Sequence, residues 1–147
     1  MKYDPAKDHR RSIRLRGYDY AQVGWYFVTV CTQDHLCLFG HVVDGQMQLT
    51  TAGRMVRTAW DHVPDHCPCV QTDAFVVMPN HIHAVIVLSP AGSVLPLPDV
   101  VRRFKTFTTR QYIVGVRRYG WPAFAGRLWQ RNYYEHIIRS ERASLCA

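Results

Sequence analysis

The strongest constraint on the fold is a pair of strand-like segments joined by a two-residue turn in the middle of the chain. Residues 74–78 and 81–88 are rich in β-branched residues, and Pro79 and Asn80 separate them. Proline lacks a backbone N–H and does not suit the interior of a central strand, but it fits the corner between two strands. The pattern therefore predicts an antiparallel hairpin whose apolar side the rest of the chain must cover.

A second set of strand signals precedes this hairpin. Residues 24–32 form an aromatic and β-branched run that is typical of a strand. Residues 39–43 and 46–49 flank Asp44-Gly45, a dipeptide that favours the tight turn of a β-hairpin. The sequence therefore predicts three more strands on the N-terminal side.

Two helices are predicted between and after these strands. Thr50 or Thr51 can cap the first, whose apolar residues recur at helical spacing up to about Val63. A loop is expected over residues 89–98, and Pro98 can begin the second helix. This order of elements predicts an α+β fold with one mostly antiparallel sheet and helices packed on one face.

The length of 147 residues suits one domain, here residues 21–147, preceded by a basic arm at residues 1–20. Residues 115–126 are expected to be irregular, and residues 128–139 have mixed strand and helix character. No apolar run is long enough to span a membrane, and the N-terminus lacks a signal-peptide pattern. These features predict a cytoplasmic protein with no membrane partner.

The cysteines do not form a recognisable framework. Their number is five, and no CxxC pair occurs, which argues against structural disulfides. A zinc site that uses His62, His66, Cys67 and Cys69 is conceivable, but the CxC spacing is tighter than that of structural zinc sites. Buried or incidental thiols are the favoured interpretation.

The whole chain has a net charge of +7. Besides the basic arm, positive charge is concentrated in the C-terminal half. Residues 100–134 contain eight basic residues and no acidic one, with aromatic residues interleaved. Cations bind phosphates and aromatic faces stack on unpaired bases, so this mixture suits single-stranded nucleic acid. The alternative is a solvated basic face whose aromatic residues belong to the core.

Two histidines lie at the start of the second strand of the central hairpin. Residues two apart in a strand point to the same side, so His81 and His83 should project together while Ile82 faces the core. Two neutral imidazoles side by side can bind one divalent ion, although a third ligand is normally needed. The spacing alone is a weak indication of a metal site. The hairpin strengthens this indication, because it places both histidines near an end of the sheet.

Three segments, in order, resemble a known family. Residues 26–32, 75–83 and 128–139 are similar to segments of the IS200-like single-strand DNA transposases, especially the REP-associated tyrosine transposases (REP, repetitive extragenic palindrome). The resemblance covers nearly all of residues 10–142. It implies a ferredoxin-like, RRM-like sheet of the HUH type, whose central strand carries the histidine pair.

The resemblance also implies a chemistry. In the family the two histidines, here His81 and His83, hold Mg²⁺ or Mn²⁺, which polarises a phosphate of single-stranded DNA near a hairpin. A tyrosine on a C-terminal helix attacks that phosphate and forms a 5′-phosphotyrosine link, so that one transfer becomes two covalent steps. The expected partner is single-stranded or hairpin DNA, and the expected state is a monomer or homodimer.

One departure from the family pattern bears on activity. The nucleophilic tyrosine is expected about three helical turns after Arg139, beyond residue 147, so this copy is expected to be truncated and defective in cleavage. Tyr133 and Tyr134 are weak catalytic candidates, and packing or DNA contact suits them better. His136 is a weak candidate for a further metal ligand.

Several residues are expected to contact DNA. Trp129 precedes Gln130 and Arg131 and is expected either to stack on a DNA base or to lie in the core. The residues expected to contact DNA, largely through phosphates, are Arg102, Arg103, Lys105, Arg110, Gln130 and Arg131.

Two further functions stay open at this point. One is a DNA-hairpin-binding domain that recognises its target without cleaving it. The other is an RNA-binding module, because ferredoxin-like sheets also serve in RNA recognition. The aromatic sheet motif of RRM domains is not evident in the sequence.

Overall fold

The computed structural model describes residues 24–67, 70–88 and 95–138. The predicted basic arm, Cys69 and the segment after Arg139 lie outside these ranges. The strands are β1 (Gly24–Cys31), β2 (Gly40–Val43), β3 (Gln46–Leu49), β4 (Val70–Met78), β5 (His81–Leu88) and β6 (Tyr134–Ile138). The helices are α1 (Thr51–Asp61), α2 (Val63–His66) and α3 (Leu97–Tyr119), and a 3-10 turn, Gln33–His35, follows β1.

The main sheet has four strands in the order β4-β5-β1-β6, and each neighbouring pair is antiparallel. Helix α1 lies in the chain between β1 and β4, and α3 lies between β5 and β6. The resulting β-α-β-β-α-β order is that of ferredoxin-like folds. The predicted fold class, an antiparallel sheet with helices on one face, is confirmed.

The core lies between the sheet and the two long helices. Alternate residues of β1 and β5, such as Val28 and Ile82, are buried on this side. Trp60 of α1 stacks on Phe75 of β4 and meets the edge of Phe104 of α3, so it joins the two helices to the sheet. The other side of the sheet carries the remaining alternate residues, and we call it the open face.

Local signals explain where the helices begin and end. The hydroxyl of Thr50 accepts the backbone N–H of Gly53 at 3.1 Å, which caps α1 as predicted. Helix α3 ends at Gly120, whose φ of 69° is the left-handed conformation that glycine adopts at little cost. The β2–β3 hairpin turns at Asp44-Gly45, also as predicted.

Some element boundaries were predicted wrongly. Strand β4 begins at Val70 rather than Ala74, because polar residues and a bulge between Thr72 and Phe75 hide an edge strand from pattern analysis. Helix α3 begins at Leu97 and continues to Tyr119, into the segment expected to be irregular. Of the mixed segment, the structure describes residues 128–138, and within them β6 is the strand that forms.

Short elements around the site were missed as well. Neither α2 nor the 3-10 turn was predicted, because three or four residues are too few for a periodic pattern.

In the part of the chain that the structure describes, no helix combines the length and the apolar character needed to cross a bilayer.

Candidate functional site

The candidate site lies where the β4–β5 turn meets the end of β1. Strand β5 begins at His81, directly after the turn formed by Pro79 and Asn80. His81 pairs with Cys31 of β1, and His83 pairs with Thr29, so these four side chains share the open face. Ile82, between the histidines, is buried in the core as expected.

The two imidazole rings converge on each other. Their Nε2 atoms lie 3.1 Å apart, and the rings meet nearly at right angles. The Nδ1 atom of His81 lies 2.7 Å from Oδ1 of Asn80, and Nδ1 of His83 lies 2.9 Å from the hydroxyl of Thr29. Each ring is therefore held by its Nδ1 atom and presents its Nε2 atom to the same point.

The hydrogen-bond partners determine the tautomer of His81 but not that of His83. Oδ1 of Asn80 can only accept, so Nδ1 of His81 donates and its Nε2 carries a lone pair. The side-chain nitrogen of Asn80 donates to the carbonyl of His35 at 3.5 Å, which agrees with this amide orientation. The hydroxyl of Thr29 can donate or accept, so His83 can carry its proton on either nitrogen.

Partial burial favours the neutral form of both histidines by lowering their pKa. Desolvation lowers the pKa of His81, and the neighbouring His83 lowers it further. Desolvation also lowers the pKa of His83, whose ring stacks on Phe27 with 5.5 Å between centroids. At neutral pH both rings are thus uncharged, which is the form that binds metals.

The histidine pair fits two ligands of one divalent ion. Nitrogen atoms 3.1 Å apart can both lie at about 2.1 Å from the same ion. Within the described ranges, however, no group of three His, Cys, Asp or Glu side chains gathers to hold a metal. The pair therefore provides part of a coordination sphere, which water or substrate oxygens can complete.

Two other groups on the open face do not complete this ligand set. His136 lies on β6 opposite Phe27, on the open face but away from the pair. Cys31 lies opposite His81, and burial raises the pKa of its thiol while Lys105 partly offsets this. A protonated thiol is a poor metal ligand.

The two tyrosine candidates have opposite environments. Tyr133 is 4% exposed and belongs to the core, with the ammonium group of Lys105 at 5.6 Å from its ring centroid. Tyr134 is 60% exposed and pairs with Thr29, so it shares the open face with His83. The structure therefore leaves Tyr134 accessible on the face that carries the histidine pair, with strand β1 between them, and encloses Tyr133.

A basic groove runs along α3. Its volume is about 550 Å³, and residues 126–131 form the side opposite the helix. Basic side chains line it and acidic ones do not: Arg102, Lys105, Arg110, Arg127 and Arg131. We call this feature the basic groove; Arg127, which the sequence analysis did not select, is part of it.

The predicted DNA-contacting residues fall into two groups. Gln130 and four of the predicted basic residues line the basic groove, whereas Arg103 reaches the carbonyl of His66 at 3.4 Å and lines an apolar pocket beside α2. Lys105 donates to the carbonyls of Gln130 and Arg131, so it also links the loop at residues 126–131 to α3.

Trp129 has a structural role. Its side chain is 4% exposed, and its indole N–H donates to the hydroxyl of Thr108 at 2.9 Å. Thr108 in turn donates to the carbonyl of Phe104 at 2.8 Å. Trp129 is therefore a core residue, and its neighbours Gln130 and Arg131 are the ones left at the surface.

Comparison with known proteins agrees with this fold. No family model matches the sequence. An uncharacterized protein of Haemophilus influenzae is 37% identical over an alignment of 166 residues, which covers 98% of this chain and 87% of the relative. The chain belongs to the same family as this Haemophilus protein.

Two solved structures that match this chain are described as transposases. A REP-associated tyrosine transposase, bound to a REP hairpin, matches with a TM-score of 0.63 and 25% identity. The match covers 90% of this chain, which spans 66% of that transposase chain. A candidate transposase from Deinococcus radiodurans matches in fold, with a TM-score of 0.58, 19% identity and coverages of 90% and 92%. The fold is thus that of REP-associated tyrosine transposases.

Proposed function

We propose that this protein is a member of the REP-associated tyrosine transposases and binds single-stranded or hairpin DNA at the histidine pair. The observation that carries this proposal is the convergence of the two Nε2 atoms of His81 and His83 at 3.1 Å. The fold shared with a transposase bound to a REP hairpin supports DNA as the partner.

Different residues would bind the cation and the DNA. His81 and His83 would hold a divalent cation, Mg²⁺ or Mn²⁺, with Asn80 and Thr29 fixing the rings through their Nδ1 atoms. Such a cation, when bound, supplies a Lewis acid for a phosphate of the DNA strand. Arg110 of the basic groove is exposed and would bind phosphates of the same DNA strand.

The family reaction is nicking and rejoining of one strand through a 5′-phosphotyrosine. A second candidate function, hairpin binding without cleavage, is favoured by the burial of Tyr133. Tyr134 is exposed on the open face, but one strand, β1, separates it from His83. We propose that Tyr134 contacts DNA through its ring rather than through covalent chemistry.

The direct test is binding of a labelled DNA hairpin with unpaired flanks, measured by fluorescence anisotropy with and without Mn²⁺. We expect tighter binding to this probe than to the fully paired duplex of the same sequence. A denaturing gel on the same samples reports any covalent protein–DNA adduct. Replacement of both histidines, His81→Ala with His83→Ala, should remove the effect of Mn²⁺ on binding.

The outcomes separate the candidate functions. An adduct that depends on Mn²⁺ would support strand cleavage, and binding without an adduct would support recognition alone. Equal affinity for duplex and hairpin would contradict the proposed function. Tighter binding of the matching RNA hairpin would point instead to an RNA-binding module.

A further inference from the structure

The apolar pocket beside α2 lies in the helical layer, on the side of the sheet opposite the histidine pair. Its volume is about 300 Å³, at the lower end of the range for small-molecule sites. Helix α3 forms one wall with Val100, Phe104 and Phe107, and α1 and α2 contribute Ala59 and Val63. The pocket shares no lining residue with the basic groove, so it is a separate feature of the molecule.

Helical spacing explains the apolar character of the pocket. Val100, Phe104 and Phe107 recur at i, i+4 and i+7, so they share one face of α3. Ala59 contributes only a methyl group to the pocket, which leaves room that a larger side chain would fill. Phe104 is 4% exposed, whereas Phe107 is 43% exposed. An apolar ligand in the pocket would remove part of the Phe107 ring from water, which is favourable.

The polar side chains of the pocket are basic. Arg103, His62 and His66 line it, and the described lining residues include no carboxylate. Nη1 of Arg103 donates to the carbonyl of His66 at 3.4 Å, which holds the guanidinium beside α2. A guanidinium has five N–H donors, so others remain for a ligand.

Two acidic residues of the adjoining helices are paired with other groups. Asp65 of α2 lies 3.1 Å from Nδ1 of His62, and Asp99 of α3 accepts from Arg102 at 2.9 Å. Among the residues that the structure describes, no carboxylate pairs with Arg103. The pocket therefore combines an apolar interior with one cation whose charge is not neutralised by a neighbour, and this combination matches a ligand with an apolar body and one carboxylate.

We propose that the apolar pocket binds a small carboxylate with an apolar body. The body lies against Phe104 and Phe107, and the carboxylate pairs with Arg103. A medium-chain fatty acid and an aromatic acid share this chemistry. This binding goes beyond the proposed DNA function and does not depend on it, because the pocket and the histidine pair lie on opposite sides of the sheet.

Nuclear magnetic resonance of the methyl groups of Ala59, Val63 and Val100 tests the proposal, because these residues line the pocket. The probes are octanoate and 3-phenylpropionate, each with its alcohol, 1-octanol or 3-phenylpropan-1-ol, as the neutral analogue. We expect at least one carboxylate to shift these signals with a dissociation constant of about 1 mM or lower. The carboxylate that binds more tightly shows whether the ligand is aliphatic or aromatic.

Replacement of the cation separates pairing with the carboxylate from apolar contact. Arg103→Gln should weaken binding of the carboxylate about tenfold and leave binding of the matching alcohol unchanged. Arg102→Gln is the matched control, because Arg102 is the adjacent arginine of α3, pairs with Asp99 and does not line the pocket. It should bind the carboxylate as the wild type does.

Filling the pocket gives a second test. Ala59→Leu should occupy the void and abolish binding of the carboxylate and of the alcohol, and its own spectrum shows whether the fold is kept. The Arg103→Gln comparison tests the proposal even if Ala59→Leu does not fold.

Three results would overturn the proposal. The first is that neither carboxylate shifts the three methyl signals of the wild type at about 10 mM. The second is that Arg103→Gln weakens the carboxylate and the alcohol equally, or no more than Arg102→Gln does. The third is that folded Ala59→Leu binds as the wild type does. Wild-type protein that binds the DNA hairpin but neither carboxylate would contradict this proposal alone and leave the proposed function intact.

Discussion

His81 and His83 turn their Nε2 atoms toward one point from alternate positions of the same strand, 3.1 Å apart. This arrangement depends on residues outside the motif, because Asn80 and Thr29 hold the opposite nitrogens. The lone pair on Nε2 of His81 faces Nε2 of His83, so either the ring proton of His83 or a cation lies between them. This geometry is the reason that we propose a cation site here.

Loss of the hydroxyl of Thr29 should weaken metal binding. Thr29→Val keeps the shape of the side chain but leaves Nδ1 of His83 without its 2.9 Å partner. We expect Mn²⁺ affinity to fall by about 10- to 100-fold, as measured by isothermal titration calorimetry. Thr29→Ser should restore it, and ¹⁵N chemical shifts of the His83 ring should report the changed tautomer. Unchanged affinity in Thr29→Val would show that the hydroxyl is not involved.

Stability should depend on pH through the histidine pair. Because the folded protein lowers the pKa of both rings, the unfolded chain takes up protons first as pH falls below 6.5. The stability contributed by the neutral rings is present above that pH and is lost as pH falls toward the lowered pKa values. We expect urea unfolding to show a greater loss between neutral and acidic pH for wild type than for His81→Gln with His83→Gln. Equal losses would contradict the lowered pKa values.

Removing charges from the basic groove should change the salt dependence of DNA binding. Arg110→Gln and Arg127→Gln should each reduce the slope of log affinity against log salt concentration by about 0.7, the value for one contact with a single strand. Arg103→Gln is the matched control, because Arg103 reaches His66 rather than the basic groove. The same reduction in Arg103→Gln would show that the strand does not follow the basic groove.

The hydrogen bond between Trp129 and Thr108 should stabilise the loop that carries Gln130 and Arg131. Thr108→Val removes the acceptor of a buried indole N–H, so we expect the free energy of unfolding to fall by about 1–3 kcal/mol. Thr109→Val, on the same helix, should change it by less than about 0.5 kcal/mol. Urea denaturation of both variants gives the comparison, and equal effects would exclude a special role for this bond.

Much of the fold followed from local patterns in the sequence. The Pro79-Asn80 turn, the Asp44-Gly45 turn and the threonine cap of α1 are each decided by one or two residues, so they were predictable. The start of β4 was not, because an edge strand tolerates polar residues such as Gln71 and Asp73. The 3-10 turn depends on tertiary hydrogen bonds to Leu128 and Asn80, which no local pattern records.

The candidate site was only partly visible in the sequence. Alternation in a strand places His81 and His83 side by side, and Asn80 could have been found as their sequence neighbour. Thr29 could not, because 54 positions separate it from His83 and only the β1–β5 register brings them together. The division of the arginines between the basic groove and the apolar pocket also depends on tertiary packing.

The most direct test of the central claim is pulsed electron paramagnetic resonance of bound Mn²⁺. We expect the spectrum of the wild-type protein to show coupling of the ion to histidine nitrogen. The coupling should disappear in His81→Ala with His83→Ala and persist in the control variants His35→Ala and His136→Ala. Absence of nitrogen coupling in the wild type, or its persistence in the double variant, would contradict a metal site at this pair.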